Sequence, residues 1–595
     1  MNAIASQSSN QVRTNVQTIL HLVLIVCLWF LTVTIVNPIG EFPFIDDSVY
    51  ESIVRHLFET GEFRLTEVST FPTVTTTLWG ALFCLPFGVS FTALRISTLV
   101  AGLLGLFGTY TLVRDFHPRG PGAFVGALAI ACNPVYYALS YTFMTDVPFI
   151  AMVTWSAVFL IRSLKSRSGL ELLGGTVMAL GATLSRQIAL TIPLAYAAAL
   201  LLCRKVEPGT IIRAAIPSLV CIPGILGFNN WLAHTGRVPA MYGFWGGMLI
   251  HALNDPWTVV TQTASNLYVT VIYLGLFLFP VQVFFGAGRY VAVAWRTTAG
   301  RVLLAAGIAL MTLGAAIRMH GGDALLLPLN GHVLVKSGIG LLWMRGAEQV
   351  PSLSETFWWA LTAVGVLGAV PLMGMVAVSS ERLIGLLSRR ATVSDRGTTM
   401  MFLAISSGLS VLPFIVVGPS DRYVLPCIPF LGTIVALSRM PSEFAENSGT
   451  PYEQVVSYAF LAIACLFSIG GTRDYLEWNR LRWQAAHDLM RHDHVAPEQI
   501  DGGDEFNGVY RIRPPNMDAA FKTFIDENKV APMIATFNPV LRRQLELLVL
   551  YSWRPPTTPY LISFGKIAGY SVVRQYTYHR WVPFYEETVV ASRKD

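Results

Sequence analysis

VQTILHLVLIVCLWFLTVTIV, Val16 to Val36, is followed ten residues on by DDSVYE, Asp46 to Glu51. The first segment has the length and apolarity of a membrane-crossing helix. The second puts Asp46, Asp47 and Glu51 beside the point where that helix leaves the lipid. Charge inside a bilayer is costly, so acids this close to a span are expected to work at a membrane surface.

The rest of the chain fits that start. Of 595 residues, 53% are hydrophobic and 13% charged. A soluble chain carries about 25% charged residues, so most of this one is built for lipid. Apolar stretches recur at about 16–36, 91–113, 122–139, 147–162, 171–184, 186–203, 210–228, 265–287, 300–317, 356–378, 400–418, 424–438 and 453–470. That predicts a polytopic α-helical membrane protein of about thirteen spans. The net charge of +6 is small and its bases are scattered, so nucleic acid is excluded as a partner.

Charge density divides the chain. Residues 1–470 are about 10% charged and residues 471–595 about 25%, the figure of a soluble domain. The expected boundary lies near Gly470-Gly471. It leaves a transmembrane unit, 1–470, with an outer loop, 37–90, and a small C-terminal α+β domain, 471–595. In the latter, 474–491 reads as an amphipathic helix with Trp478, Leu481, Ala485 and Leu489 inward, and alternation near 532–538 and 569–579 reads as strands. All seven cysteines lie in or beside apolar segments, so no disulfide framework is expected, and no Cys/His spacing predicts zinc. The N-terminus carries no signal-peptide cleavage pattern, so the first apolar stretch is expected to stay as a helix.

Basic residues set the expected orientation. With a cytoplasmic N-terminus, the turns after even-numbered spans hold Arg114 and Arg119; Arg162, Lys165 and Arg167; Arg204, Lys205 and Arg213; Arg289, Arg296 and Arg301; Arg382, Arg389, Arg390 and Arg396; and Arg439. The last turn is the weakest, with Glu443 and Glu446 against its one Arg. The opposite short turns near 140–146, 185–186 and 419–423 hold zero, one and one base. This positive-inside bias puts loop 37–90 and the C-terminal domain outside the cytoplasm of a multi-pass plasma (inner) membrane protein. Within the loop, Val49, Ile53, Val54 and Leu57 fall at helical spacing, so 46–60 reads as an interfacial amphipathic helix ended by Gly61. A second piece, 74–87, is expected to lie on the membrane.

The motif order resembles one family. Asp46-Asp47-x-x-Tyr50 is followed by Phe71-Pro72-Thr73, Ala93-Leu94-Arg95-Ile96-Ser97, Asn133-Pro134, Met144-Thr145-Asp146-Val147-Pro148, Leu184-Ser185-Arg186 and Asp421-Arg422-Tyr423-Val424-Leu425-Pro426. This is similar to the GT-C membrane glycosyltransferases, in the protein O-mannosyltransferase and aminoarabinose-transferase branch, over roughly 40 to 440. Two positions depart from that branch: Asp47 stands where it has Glu, and Phe71-Pro72-Thr73 where it has a His-Pro-Pro-like element. The first keeps the charge on a shorter arm; the second removes a polar side chain.

The resemblance implies transfer of a sugar from a polyprenyl phosphate to a hydroxyl on a lipid, glycan or protein acceptor at the extracytoplasmic face of the bilayer. Such a reaction needs one base for the acceptor and positive charge for the leaving phosphate. Asp46 matches the base, with Asp47 as helper; spacing alone also allows either to cap the helix starting near Ser48. Asp146 is implied to orient the acceptor or hold a base, and could equally cap its helix. Arg186 and Arg422 are implied phosphate ligands, although arginines at span ends also snorkel to head groups. Lys336 in the glycine-rich outer loop 318–355, itself a candidate lid, is a further phosphate candidate. Tyr50 and Tyr423 are implied to stand by the substrate, and Arg95 to pair with a loop acid. Hard cations take carboxylates, yet no other acid cluster is near in sequence, so neither a metal nor another cofactor is expected. The competing class is a polytopic lipid or solute transporter or flippase. That class favours internal repeats and mid-helix charges; here no half-to-half repeat is evident and the acids sit at outer ends.

Overall fold

The computed structural model describes residues 2–117, 120–389, 393–438, 449–510, 512, 514, 516–527, 530–551, 553–555 and 557–595. Arg119, Arg390, Arg439, Glu443 and Glu446 lie outside them. The first helices are α1 (Asn2–Val36), α2 (Asp47–Thr60), α3 (Val74–Cys84), α4 (Phe91–Arg114), α5 (Gly122–Ala131), α6 (Pro134–Leu139), α7 (Asp146–Ser166), α8 (Gly169–Thr183), α9 (Thr191–Cys203), α10 (Pro208–His234) and α11 (Phe244–Leu253). Then come α12 (Pro256–Phe284), α13 (Arg289–Trp295), α14 (Thr298–His320), a hairpin of β1 (Leu334–Val335) and β2 (Gly338–Ile339), α15 (Glu355–Arg389), α16 (Asp395–Val417), α17 (Cys427–Leu437) and α18 (Pro451–His492).

Nine helices among the described residues are long and apolar enough to cross a membrane: α1, α4, α7, α10, α12, α14, α15, α16 and α18. They coincide with nine of the thirteen expected spans. The other four fall on α5 with α6, on α8, on α9 and on α17, all shorter apolar helices. Asn133 shows one reason for such a break: its side chain caps α6, accepting from the N–H groups of Val135 and Tyr136, and Pro134 begins the new helix.

Small residues bring spans together. A Cβ built on Gly275 of α12 would stand 2.1 Å from the Gly365 carbonyl oxygen of α15, and one on Gly368 would stand 2.1 Å from that of Gly275. Only glycine admits this approach, the usual route to tight helix packing in lipid.

The loop helix forms as its pattern predicts. Ile53 and Val54 are fully buried, and Gly61 ends α2 in the left-handed region at φ 72, its N–H bonding the Leu57 carbonyl. The 74–87 piece forms α3, which exposes Leu78 and Leu82.

The C-terminal part holds β3 (Ile500–Asp501), α19 (Asp504–Val509), α20 (Met517–Glu527), α21 (Ala531–Ala535), α22 (Pro539–Tyr551), β4 (Tyr560–Phe564), β5 (Tyr570–Trp581) and β6 (Phe584–Lys594). Its sheet runs β3-β4-β6-β5, with β3 parallel to β4 and the other pairs antiparallel. The strand expected near 569–579 is β5. The one expected near 532–538 is instead α21 and the turn after it: Pro532 suits a first helical turn, and Ile534 buries against Phe521 and Leu545. The boundary expected at Gly470-Gly471 falls inside α18, which continues unbroken to His492. Both glycines pack closely there, Gly470 on Val582 and Gly471 on Ile339. The rise in charge therefore marks where one helix enters the sheet domain. Trp478, Ala485 and Leu489 are buried on it, and Leu481 is half-buried.

Candidate active site

Arg95 shapes the acidic loop. It is fully buried in α4, donates to the carbonyls of Pro38 (3.2 Å), Gly40 (2.7 Å) and Phe42, and lies 4.5 and 4.6 Å from the ring centroids of Phe42 and Phe44. Its expected loop acid is replaced by this arc of carbonyls, which a planar guanidinium with five donors can span. Glu41 fixes the same turn by accepting from the N–H groups of Phe91 and Thr92 at the start of α4.

The paired aspartates then diverge. Asp47 is fully buried, and its carboxylate accepts from Phe143 N (2.8 Å) and Phe44 N (3.2 Å), joining α2 to the turn that precedes Asp146. Burial pushes its pKa up to about 7, against the opposing pull of Arg95 and the two amides. Asp46 stands at the N-cap position of α2, but its side chain makes no cap bond. It is partly exposed, though closely surrounded by protein. Burial raises its pKa; Arg422 and Arg186 lower it, and Asp146 raises it further. Tyr50, one turn on, is buried, and burial followed by the Asp46 charge raises its phenol, so it stays protonated.

Replacing Asp47 by Ala leaves two buried N–H groups without their acceptor. The expected cost is about 1–3 kcal/mol for each, read as a lower unfolding midpoint of the purified protein. Full stability with lost turnover would instead make Asp47 part of the chemistry.

Asp146 gathers the cations. It begins α7 without capping it, and its Oδ2 lies 2.7 Å from Arg186 Nη2 and 3.9 Å from Arg422 Nη1. Arg186 also donates through Nε to Thr145 Oγ1 at 2.7 Å. The Phe71 ring lies 5.0 Å from its guanidinium, so the element that departs from the family pattern packs on a cation. Neither arginine snorkels: the Arg186 and Arg422 side chains are 6% and 11% exposed.

Arg422 is less fully bonded than Arg186, whose Nε and Nη2 both have partners at 2.7 Å. Among the described residues the Arg422 Nε and Nη1 are buried without a hydrogen-bond partner, and its Nη2 reaches the Tyr423 hydroxyl at 3.5 Å. Burial acts to lower its pKa, but Tyr423, Asp146 and Asp46 outweigh that and the group stays charged. Tyr423 is fixed by stacking on Phe414 at 4.2 Å, with Trp245 of α11 edge-on at 6.2 Å.

Asp421 was not singled out by sequence reasoning, although it stands in the quoted motif. Fully buried, it accepts from the backbone N–H groups of His332 (3.0 Å), Val333 (2.9 Å) and Leu334 (2.7 Å). It thereby anchors the outer loop expected to be a lid. The other side of that loop is held by Arg345, which meets Asp501 at 3.2 Å and the Pro555 carbonyl at 2.6 Å, and by Arg580, which donates to the Ser337 carbonyl. Lys336 lies at the exposed turn between β1 and β2, with no ion pair to the Asp46 group among the described residues.

Among the described residues no group of three or more His, Cys, Asp or Glu side chains has metal-binding geometry. Asp47 aims both oxygens at backbone N–H groups, a poor fit to a cation shared with Asp46.

Residues 74–234 match the family model described as Dolichyl-phosphate-mannose-protein mannosyltransferase. The match includes Asp146 and Arg186 but neither Asp46 nor Arg422. Together with the motif order and the polytopic helical fold, this match likens the chain to the GT-C membrane glycosyltransferases. No curated protein matches the chain in sequence. Among solved structures, one likeness is to ArnT from Cupriavidus metallidurans bound to undecaprenyl phosphate, at 12% identity over 90% of this chain and 77% of that one, TM-score 0.41. Another is to the oligosaccharyltransferase AglB from Archaeoglobus fulgidus in complex with an inhibitory peptide and a dolichol-phosphate, at 13% identity over 80% and 58%, TM-score 0.36. Likenesses this remote carry no argument about substrate or residue roles.

Proposed function

We propose that this protein transfers a sugar from a polyprenyl-phosphate donor to a hydroxyl acceptor, with Asp46 as the base. The observation that carries the reading is a carboxylate that makes no cap bond, Asp46, lying within the electrostatic reach of Arg422, a buried guanidinium with two donors unpartnered among the described residues. Asp46 takes the acceptor's O–H proton as its oxygen attacks the anomeric carbon. The bond from that carbon to the phosphate oxygen breaks, and the lipid phosphate leaves toward Arg422. A single displacement inverts the anomeric centre. Asp146 holds Arg186 and Arg422 together and limits their repulsion. The phosphate charge is met by arginine, so the reaction proceeds without a bridging metal.

Comparing membrane lipids, envelope glycans and glycoproteins by mass spectrometry, with and without the gene, tests the reading and identifies the acceptor. One glycosylated species should lose its sugar; an unchanged set of all three counts against it. The charge bias favours an extracytoplasmic site. In a cysteine-free background, cysteines introduced at Ser48 and at the exposed Lys594 should react with an impermeant reagent added from outside. Labelling only from the cytoplasmic side would reverse the orientation.

A further inference from the structure

We propose that His332 is a further substrate-contacting residue, held by the Asp421 clasp beside Arg422 so that its imidazole hydrogen-bonds the anion that Arg422 binds. The inference rests on the lipid-phosphate reading above and adds to it a residue from the outer loop. Three observations converge on it. Asp421 fixes the backbone of 332–334 through three N–H groups, so the start of the hairpin has a set position beside Arg422. The His332 ring lies 6.4 Å from that of Tyr423, whose hydroxyl meets Arg422 Nη2. And His332 is exposed to solvent, so a ligand can reach its ring.

The charges around His332 tell how it would act. Burial and then Arg422 push its pKa down to about 4, against Asp421 and Asp146, which pull it up. Asp421 is the nearest acid but is already bonded to three amides and the Ser420 hydroxyl. The free site therefore holds a neutral imidazole beside a cation. An anion bound between them removes the repulsion from Arg422 and favours the imidazolium. Binding should then take up protons and strengthen as pH falls.

The test uses a farnesyl methyl phosphate diester, whose single charge does not change over the pH range used. Its affinity for the purified full-length protein is measured by calorimetry at pH 8 and pH 5, in buffers of different ionisation enthalpy. Wild type should bind more tightly at pH 5 and take up protons. Asp46 also titrates toward this range, so the comparison that counts is with His332→Gln, which keeps a neutral hydrogen bond. That variant should match wild type within about threefold at pH 8 and show a smaller pH dependence and proton uptake; His332→Ala should bind about fivefold more weakly at pH 8, the loss of one neutral hydrogen bond. If wild type binds while His332→Ala has equal affinity and His332→Gln an equal pH slope, His332 is not a contact and the lipid-phosphate reading stands. If wild type shows no binding at all, that reading falls and this inference with it.

Discussion

Asp46→Asn is expected to abolish sugar transfer while leaving the protein folded and able to bind donor. The amide keeps the size of the side chain but cannot take the acceptor's proton. Positioned bases contribute about 10²–10⁴-fold, and turnover should fall by that much. Folding should survive, because the Asp46 side chain makes no cap bond and the loop is held by Arg95, Glu41 and Asp47 instead. The wild-type pH profile carries the same assignment. A base must be ionised to act, and burial raises the pKa of Asp46. Activity should therefore be lost as pH falls through a value above the ordinary carboxylate pKa of about 3.9. Near-normal turnover by the variant would remove Asp46 from the chemistry.

Arg422→Ala should raise the donor KM by about 10- to 100-fold, the scale of one or two hydrogen bonds to a charged group. Arg422→Lys should recover part of this, since an ammonium restores the charge but not the two-pronged donor geometry. The wild-type guanidinium has two buried nitrogens unbonded among the described residues, which an anion would satisfy. Equal, full activity of both variants would leave Arg422 with only a structural tie to Asp146, at 3.9 Å. Arg186 should behave differently. Its contacts with Asp146 and Thr145 are both at 2.7 Å, so its loss should disturb folding as well as binding.

Much of this was legible in the sequence because the signals were local. Apolar runs located the nine long apolar helices, and the spacing of Val49, Ile53, Val54 and Leu57 with Gly61 marked α2 to its last residue. Spacing could not separate Asp46 from Asp47. That difference depends on Phe143, 96 residues away, whose N–H holds one aspartate and not the other. The outer loop's glycines read as freedom, but Asp421, nearly 90 residues on, fixes its backbone. Arg95 was expected to seek an acid because charge pairing is the obvious rule, whereas the folded loop offered carbonyls. The composition change near 470 falls where α18 enters the sheet domain, and the helix runs through it without a break.

The most direct test is acceptor-dependent release of polyprenyl phosphate from a labelled polyprenyl-phosphate sugar by the purified protein, with EDTA present. Wild type should release it, with the sugar recovered on the acceptor in inverted configuration, and Asp46→Asn should release none above background. A preparation that leaves every such donor intact yet moves it across a bilayer would make the protein a transporter and not a transferase.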